Sequence, residues 1–206
     1  MEILRALAAA VPALCVACGR GCRAGSALCP SCGSRLDRAL PLQGPGPPGF
    51  DRAWSSAPYE GVARELVAAL KFRRLLPVAE LMAARIARLA PASARGGALV
   101  PVPPSPQRLR RRGYDPAGEL AAALAERFGA ELAPCLARRG GRRQVGRGRG
   151  QRVARPPQVR VAGPVPPSAI VVDDVLTTGA TLGACAGALR RAGATRLVAV
   201  TFARRL

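Results

Sequence analysis

Hydrophobic residues recur along the chain in two alternating patterns. Compact apolar runs, several of them rich in β-branched residues, predict strands over residues 53–59, 98–102, 131–136, 169–175 and 197–202. Apolar residues spaced three and four positions apart predict helices over residues 61–72, 78–89, 116–128 and 180–192. Strands that alternate with helices are typical of the α/β class, so we expect a mostly parallel sheet flanked by helices.

The first fourteen residues lie ahead of this pattern. A secretory signal peptide has a basic start and an uninterrupted apolar core, whereas this segment has Arg5 beside Glu2 and is broken by Pro12. We therefore expect an unprocessed, cytoplasmic protein that starts with a short amphipathic helix, whose apolar face carries Ile3, Leu4, Leu7 and Val11.

Residues 41–49 read PLQGPGPPG, a composition typical of linkers. We expect this segment to close an N-terminal module, residues 1–49, and to separate it from a larger domain, residues 50–206.

Four cysteines in the N-terminal module have the spacing of a metal site. They form two C-x-x-C pairs, Cys15 with Cys18 and Cys29 with Cys32, each followed directly by a glycine that suits a tight turn. Two such pairs supply the four thiolates of a closed tetrahedral site, so the sequence predicts a structural Zn²⁺ in a small zinc ribbon. Iron has the same ligand set and stays open, and disulfides are the remaining alternative.

Three further cysteines are not part of this spacing. Cys22 is interpreted as a bystander that could compete for a ligand position. Cys135 and Cys185 lie in apolar contexts and are predicted to be small buried hydrophobes.

Charge and composition narrow the function classes. The chain has 206 residues with 32 Lys plus Arg against 12 Asp plus Glu, a net charge of +20. Its hydrophobic content of 49% excludes a disordered chain, and no apolar run reaches the roughly 18 residues that span a bilayer. Histidine is absent, which excludes sites built on histidine. Genome bias explains part of the arginine excess, and the rest indicates an anionic partner such as a phosphate, nucleotide, nucleic acid or anionic membrane surface.

The segment from Ile170 to Thr181 carries the clearest chemistry. A buried strand delivers Asp173 and Asp174 to its carboxyl end, where α/β proteins bind ligands. A hydroxyl-rich loop and a helix start follow, which together suit a phosphate, while the carboxylates suit sugar hydroxyls directly or through Mg²⁺. A nucleoside triphosphatase strand also ends in acids, but its phosphate loop needs a G-x-x-x-x-G-K-[ST] sequence, and the one lysine, Lys71, follows Ala-Ala-Leu.

This segment resembles the phosphoribosyl diphosphate (PRPP) motif of type I phosphoribosyltransferases. The chain as a whole resembles the ComF family, in which an N-terminal zinc ribbon precedes a phosphoribosyltransferase-like domain. Further similarity lies in residues 59–72, in the VPVP of residues 100–103 with the RLRRRGYD of residues 108–115, and in Gln144 and Arg152. Asp115-Pro116 departs from the family's usual Asn-Gln, and Arg155 stands where asparagine is frequent.

The resemblance implies a role for each matching residue. Catalytic Asp173 and Asp174 would hold the ribose hydroxyls and, indirectly, Mg²⁺ brought with PRPP. The 5′-phosphate would lie on the loop and helix start, Thr177, Thr178, Gly179, Ala180 and Thr181. Positive charge for the pyrophosphate would come from Lys71, Arg110 or Arg112, although residues 108–112 also fit a solvated basic turn. Gln144 and Arg152 would belong to a flexible loop.

Two functions follow as hypotheses. One is transfer of phosphoribosyl from PRPP to an unknown acceptor with release of pyrophosphate. The other is a non-catalytic DNA-uptake role, in which the zinc ribbon and the nine arginines of residues 138–160 bind single-stranded DNA alongside a competence helicase. With seven aromatic residues such binding would be electrostatic, with a log–log salt slope of about −3 to −4. Membrane-surface binding lacks apolar anchors in the basic loop, and the oligomeric state stays open.

Overall fold

A computed structural model describes residues 13–73, 75–138 and 157–206. The N-terminal helix expected within residues 1–12 lies outside these ranges. Nine strands are described: β1 (Ala13–Leu14), β2 (Gly21–Cys22), β3 (Leu42–Gly44), β4 (Arg52–Pro58), β5 (Ala98–Pro101), β6 (Leu136–Arg138), β7 (Val159–Val161), β8 (Ser168–Leu176) and β9 (Arg196–Arg204). Six α-helices accompany them: α1 (Pro30–Asp37), α2 (Gly61–Phe72), α3 (Pro77–Leu89), α4 (Pro106–Arg112), α5 (Pro116–Phe128) and α6 (Ala180–Arg191).

The central sheet has five strands in the order β3-β4-β9-β8-β5. Strands β4, β9, β8 and β5 pair in parallel, and β3 alone is antiparallel, at the edge beside β4. The expected α/β class with a mostly parallel sheet flanked by helices is therefore confirmed. The predicted strands and helices agree with the observed ones to within two residues at each end, apart from the strand expected over residues 131–136.

Alternation along β8 explains the two layers that cover the sheet. Ile170 and Val172 pack in one core with Leu66 of α2, and also with Met82 of α3 and Leu120 of α5. Their neighbours on the strand, Ala169 and Val171, pack in a second core with Leu182 and Leu189 of α6. Adjacent residues of a strand face opposite sides, so a strand buried on both faces reads as a continuous apolar run.

The strand predicted over residues 131–136 divides into two parts. Leu132 forms an isolated parallel bridge with Leu99 of β5, and the chain then leaves the central sheet before β6 pairs with β7. Pro134 lies between the two parts and has no backbone N–H to donate, which interrupts the ladder. The sequence predicts a loop over residues 138–160, but residue 138 belongs to β6 and residues 159–160 belong to β7.

The residues predicted as a linker pack against the larger domain. β3 pairs with β4, and the carbonyl of Gly49 accepts a hydrogen bond of 3.1 Å from Nε of Arg190 on α6. Arg190 also forms an ion pair of 2.7 Å with Asp51. A three-residue edge strand containing glycine has no apolar periodicity, so the sequence pattern could not indicate it.

Arg85 of α3 joins the N-terminal module to the sheet. The residue is 4% exposed, and its Nη2 donates to the carbonyls of Ala39, at 2.6 Å, and Ser56, at 3.1 Å. Its Nη1 lies 3.5 Å from Oδ1 of Asp37, which also pairs at 2.6 Å with the exposed Arg88. One buried guanidinium thus satisfies groups on both sides of the module boundary.

We expect Arg85→Ala to lower the free energy of unfolding by about 2–4 kcal/mol, because two carbonyls lose their buried donor. Urea denaturation monitored by circular dichroism measures this change. Arg88→Ala is the matched control, since it removes an exposed pair with the same Asp37 and should cost less than about 1 kcal/mol. Equal losses in the two variants would contradict the role assigned to Arg85.

Candidate functional site

The four cysteines predicted as metal ligands converge in the structure. The sulfurs of Cys15, Cys18, Cys29 and Cys32 all lie within 4.8 Å of one another, and those of Cys18 and Cys29 are 3.8 Å apart. Tetrahedral zinc with bonds of about 2.3 Å requires sulfurs about 3.8 Å apart, whereas a disulfide requires about 2.05 Å. The structure has no disulfide among these cysteines, and the spacing of their sulfurs fits a structural metal ion better than a pair of disulfides.

The pKa values of two thiols in the cluster are shifted in opposite directions. Burial alone raises the pKa of Cys15, but backbone hydrogen bonds from Cys29, Cys18 and Ala17 outweigh it and lower that pKa to about 6. Burial and hydrogen bonds to the neighbouring sulfurs raise the pKa of Cys32 to about 12. A metal ion displaces such thiol protons on binding, so loading of the cluster releases protons.

The other cysteines lie elsewhere. Cys22 donates to the carbonyl of Ser26 at 3.2 Å and is not in the cluster. Cys135 and Cys185 are buried in the second core, as predicted, and burial raises the pKa of Cys185 to about 12. Both are therefore inert small hydrophobes at neutral pH.

A second site lies where the carboxyl ends of β5 and β8 meet. A cleft of about 290 Å³ opens there, between the loop after β5, the start of α5 and the loop after β8. Its lining includes Asp173, Asp174, Thr177 and Thr181 from the predicted phosphate segment, together with Lys71 and Arg112. Six side chains that were selected from the sequence as ligand-binding residues therefore share one cavity at the expected edge of the sheet.

Asp174 forms an ion pair with Lys71 in the cleft. It is 3% exposed, and its Oδ1 lies 2.8 Å from Nζ of Lys71 near the end of α2. The lysine side chain is itself 23% exposed, so the pair is buried on the carboxylate side and open towards the cleft on the lysine side. A buried carboxylate needs such a partner because desolvation disfavours its charge.

Asp173 faces the opposite layer, beside Arg138 and Cys185. Burial and the neighbouring charge of Asp174 raise the pKa of Asp173 well above its usual range, and Lys71 only partly offsets them. Its Oδ1 accepts a hydrogen bond of 2.9 Å from the backbone N–H of Asp174. The two carboxylates thus differ in their surroundings, since Asp174 forms the ion pair with Lys71, whereas burial and the charge of Asp174 raise the pKa of Asp173.

The phosphate segment continues into α6 through Gly179. Its φ of +74° is in the left-handed region, and an added Cβ would lie 2.8 Å from Cγ of Pro47 in the segment predicted as a linker. Only glycine fits here. Thr178 is exposed, and with Gly179 and Ala180 it does not line the cleft, whereas Thr177 and Thr181 do.

Helical geometry brings some arginines of α4 into the cleft and leaves others outside it. Arg108 and Arg112 line the cleft, and they are four positions apart on one helix face. Arg110 lies between them in sequence, is exposed, and does not line the cavity. Of the two arginines predicted to bind pyrophosphate, the structure brings only Arg112 to the site.

Three charged residues of the cleft were not selected from the sequence as ligand-binding residues. Asp115 caps α5 by accepting from the N–H of Ala117 at 3.1 Å, and burial with help from Asp174 raises the pKa of Asp115. Arg138 and Arg108 complete the lining. Arg108 and Asp115 lie within the motif of residues 108–115 but had no assigned role, whereas no local signal indicates Arg138, because its position depends on how β6 packs. The predicted loop residues Gln144 and Arg152 lie outside the described residues.

Comparison with models of known protein families gives no match, and comparison with curated proteins gives none either. Within residues 13–73, 75–138 and 157–206, no helix combines the length and the apolar character needed to cross a membrane. Function is therefore argued from the two sites themselves.

We expect the purified protein to hold about one metal ion per chain and Cys32→Ser to lose most of it, because a closed site needs all four thiolates. Elemental analysis, and the thiolate-to-metal absorption of the Co²⁺-loaded protein, measure this occupancy. Cys22→Ser is the control and should retain the ion, since Cys22 bonds to Ser26 instead. Equal metal content in both variants would contradict the assigned ligand set.

We expect Asp173→Asn to stabilise the ligand-free protein at pH 7. Because the folded state raises the pKa of Asp173, ionisation costs stability above the unfolded pKa of about 3.9, and that cost vanishes below it. The melting midpoint should rise by about 2–4 °C at pH 7, with the gain disappearing as the pH falls towards about 3.5.

The control for this change is Glu131→Gln, which alters an exposed carboxylate outside the cleft. A destabilised Asp173→Asn protein at pH 7, measured by calorimetry over the same pH range, would refute the unfavourable environment inferred for Asp173.

Proposed function

We propose that this protein binds PRPP with Mg²⁺ and transfers its phosphoribosyl group to an acceptor, releasing pyrophosphate. One observation supports this most. Three carboxylates, two threonine hydroxyls and several cations line a single cleft at the carboxyl edge of a parallel sheet. A sugar phosphate offers the complementary groups, hydroxyls for the acids and phosphates for the cations.

The proposed chemistry places its main demand on the leaving group. The bond from C1 of the ribose to the pyrophosphate oxygen breaks with its electron pair on that oxygen, while the acceptor bonds to C1. Charge therefore builds on pyrophosphate and a partial positive charge builds on the sugar. Lys71, Arg108 and Arg112 line the cleft and would stabilise the pyrophosphate. No histidine is needed for this step.

The same proposed reaction gives the acids of the cleft their roles. Asp174 and Asp173 would accept hydrogen bonds from the ribose hydroxyls, and the hydroxyls of Thr177 and Thr181 would bind the 5′-phosphate. Mg²⁺ would supply charge neutralisation for the pyrophosphate. Among the described residues, the acids of the cleft do not form a converging ligand cluster of their own, so the metal is proposed to arrive with PRPP.

The same features support a family assignment. The four-cysteine cluster precedes the α/β domain, and the VPVP sequence at residues 100–103 spans the end of β5, with its last two residues lining the cleft. We propose on this basis that the chain belongs to the ComF family, with a zinc ribbon in front of a phosphoribosyltransferase-like domain and a cytoplasmic location.

A second candidate function is electrostatic binding of single-stranded DNA, with a competence helicase as the further partner. Arg110 and Arg111 favour it, because they are exposed on α4 beside the cleft without lining it. Most of the arginine-rich segment expected to contribute lies outside the described residues. The cleft itself favours the first function, because its three acids would repel a continuous phosphate backbone.

Calorimetric titration with PRPP and Mg²⁺ tests the proposed function. We expect binding by the unaltered protein and a weakening of about tenfold or more in Asp174→Asn, which loses a charged acceptor for the sugar hydroxyls. Asp37→Asn, in the N-terminal module, should bind PRPP unchanged. Pyrophosphate release on adding a panel of bases or amines then separates transfer from binding alone.

Because Asp174→Asn also loses the partner of Lys71, a second pair of variants is needed. Arg112→Ala should weaken PRPP binding, whereas Arg110→Ala, on the other face of the same helix, should have a much smaller effect. Equal heats from all the variants and the unaltered protein would place PRPP outside this cleft.

A further inference from the structure

A groove lies between the N-terminal module and α3, apart from the cleft. Its volume is about 470 Å³, which exceeds the 290 Å³ of the cleft, and the two cavities share no lining residue. One wall comes from residues 25–28 and α1, and the other comes from α3. The groove therefore follows the boundary between the two parts of the chain and lies outside the proposed PRPP site.

The walls of this groove are mainly apolar. Leu28 and Leu36 lie on the module side, and Leu81 and Ala84 lie on the α3 side. The three leucines are at least partly buried against the main core, whereas Ala84 is exposed. Gly33 also lines the groove, and apart from its own neighbours in the chain an added Cβ there would meet no atom within 4 Å. The part of the chain that the structure describes therefore leaves this apolar surface open.

The charge at one end of the groove is positive. Asp37 accepts from the exposed Arg88 at 2.6 Å and lies 3.5 Å from Nη1 of the buried Arg85, so one carboxylate serves two guanidinium groups. Nε of Arg85 is buried and has no hydrogen-bond partner among the described residues. Burial and the charge of Arg88 lower the pKa of Arg85 in spite of Asp37. These arginines would therefore attract a further carboxylate that entered the groove.

The N-terminal module extends this positive charge. Asp37 is the one acid within residues 13–49, and the four arginines of that range are all exposed, namely Arg20, Arg23, Arg35 and Arg38. A second copy of the chain carries the same excess, with a net charge of +20, and is repelled from this surface. Charge complementarity therefore favours an acidic partner.

The secondary structure around the groove favours a helical occupant. Among the described residues that line it, none belongs to a strand, so an extended peptide would find no strand edge to pair with. A helix satisfies its own backbone hydrogen bonds and presents an apolar stripe between polar faces. Amphipathic helices bind apolar grooves in this way, through side chains spaced three and four positions apart.

We propose that this groove is a docking site for an acidic amphipathic helix of a partner protein. The apolar stripe of that helix lies between Leu36 of α1 and Leu81 of α3, and its carboxylates lie beside Arg88. The proposal goes beyond the proposed function and does not depend on it, because the groove and the cleft are separate cavities.

Two synthetic peptides test the docking site. Each has about 14 residues of leucine, alanine and glutamate in the same proportions, but only one places its leucines in a helical stripe. Both have the same charge, so general attraction to a basic chain contributes equally. In fluorescence polarisation with the full chain, we expect the striped peptide to bind about tenfold or more tightly than the scrambled one. Equal affinities would overturn the proposal.

A variant that blocks the groove locates the binding site. Ala84→Tyr adds a large side chain at an exposed position of the groove and should reduce the affinity of the striped peptide to that of the scrambled one. Ala92→Tyr changes an exposed alanine outside the groove and is the matched control, which should bind like the unaltered protein. Undiminished binding by Ala84→Tyr would place the peptide elsewhere and overturn the assignment.

A charge reversal tests the acidic character of the helix. Arg88→Glu should weaken binding of the striped peptide about tenfold or more, because it puts a carboxylate beside those of the helix. Arg110→Glu makes the same change in net charge at an exposed position outside the groove, and its effect should be much smaller. Equal weakening in the two variants would show only general attraction and contradict the proposed contact.

Sedimentation velocity separates this proposal from pairing of two copies. Self-association of the chain that Ala84→Tyr abolishes would make the groove an interface between copies and overturn the proposal. A monomer, or an oligomer that Ala84→Tyr leaves intact, supports a groove that is free for the helix. Ala84→Tyr should bind PRPP unchanged, so failure of the docking site and failure of the proposed function are distinguishable.

Discussion

Two adjacent carboxylates at the end of a strand buried on both faces impose the main constraint on this fold. Because neighbouring residues of a strand face opposite layers, Asp173 and Asp174 each need compensation from a different side of the sheet. Lys71 of α2 supplies it for Asp174 at 2.8 Å. On the other side, Arg138 at the end of β6 lies near Asp173. The positions of α2 and β6 are thus tied to the same two residues that define the candidate site.

The α2 helix also connects this site to the N-terminal module. Cys15, Cys29 and Cys32 belong to the same core as Leu66 and Leu70 of α2. Beyond the end of the helix, Arg73 donates to the carbonyl of Val16, between the first two cysteines, at 3.1 Å. A metal ion bound in the cluster would therefore order a turn that also contacts the end of the helix that carries Lys71 and Phe72. The four-cysteine cluster has no substrate position of its own, but it supports the wall of the cleft.

The sequence was informative wherever one local pattern determines the structure. The helices over residues 61–72 and 116–128 have the predicted ends, because apolar periodicity and the prolines and glycines that bound helices are local signals. The four-cysteine cluster and the segment from Asp173 to Thr181 are equally local. Tertiary packing determines the features that local patterns do not encode. These are the edge strand β3, the position of Asp115 in the cleft, and the placement of Arg112 but not Arg110 in the cleft.

The distribution of charge argues for a ligand with two kinds of groups. The chain carries +20, yet the cleft holds four cations, Lys71, Arg108, Arg112 and Arg138, against three carboxylates. The excess of positive charge therefore lies mainly outside the site that carries the chemistry. A purely anionic ligand gains little from a cavity with so many acids, since each phosphate near a carboxylate is repelled. Hydroxyls beside phosphates would satisfy both sets at once, so the arrangement of charges in the cleft favours the proposed sugar phosphate, whereas the net charge alone indicates only an anion.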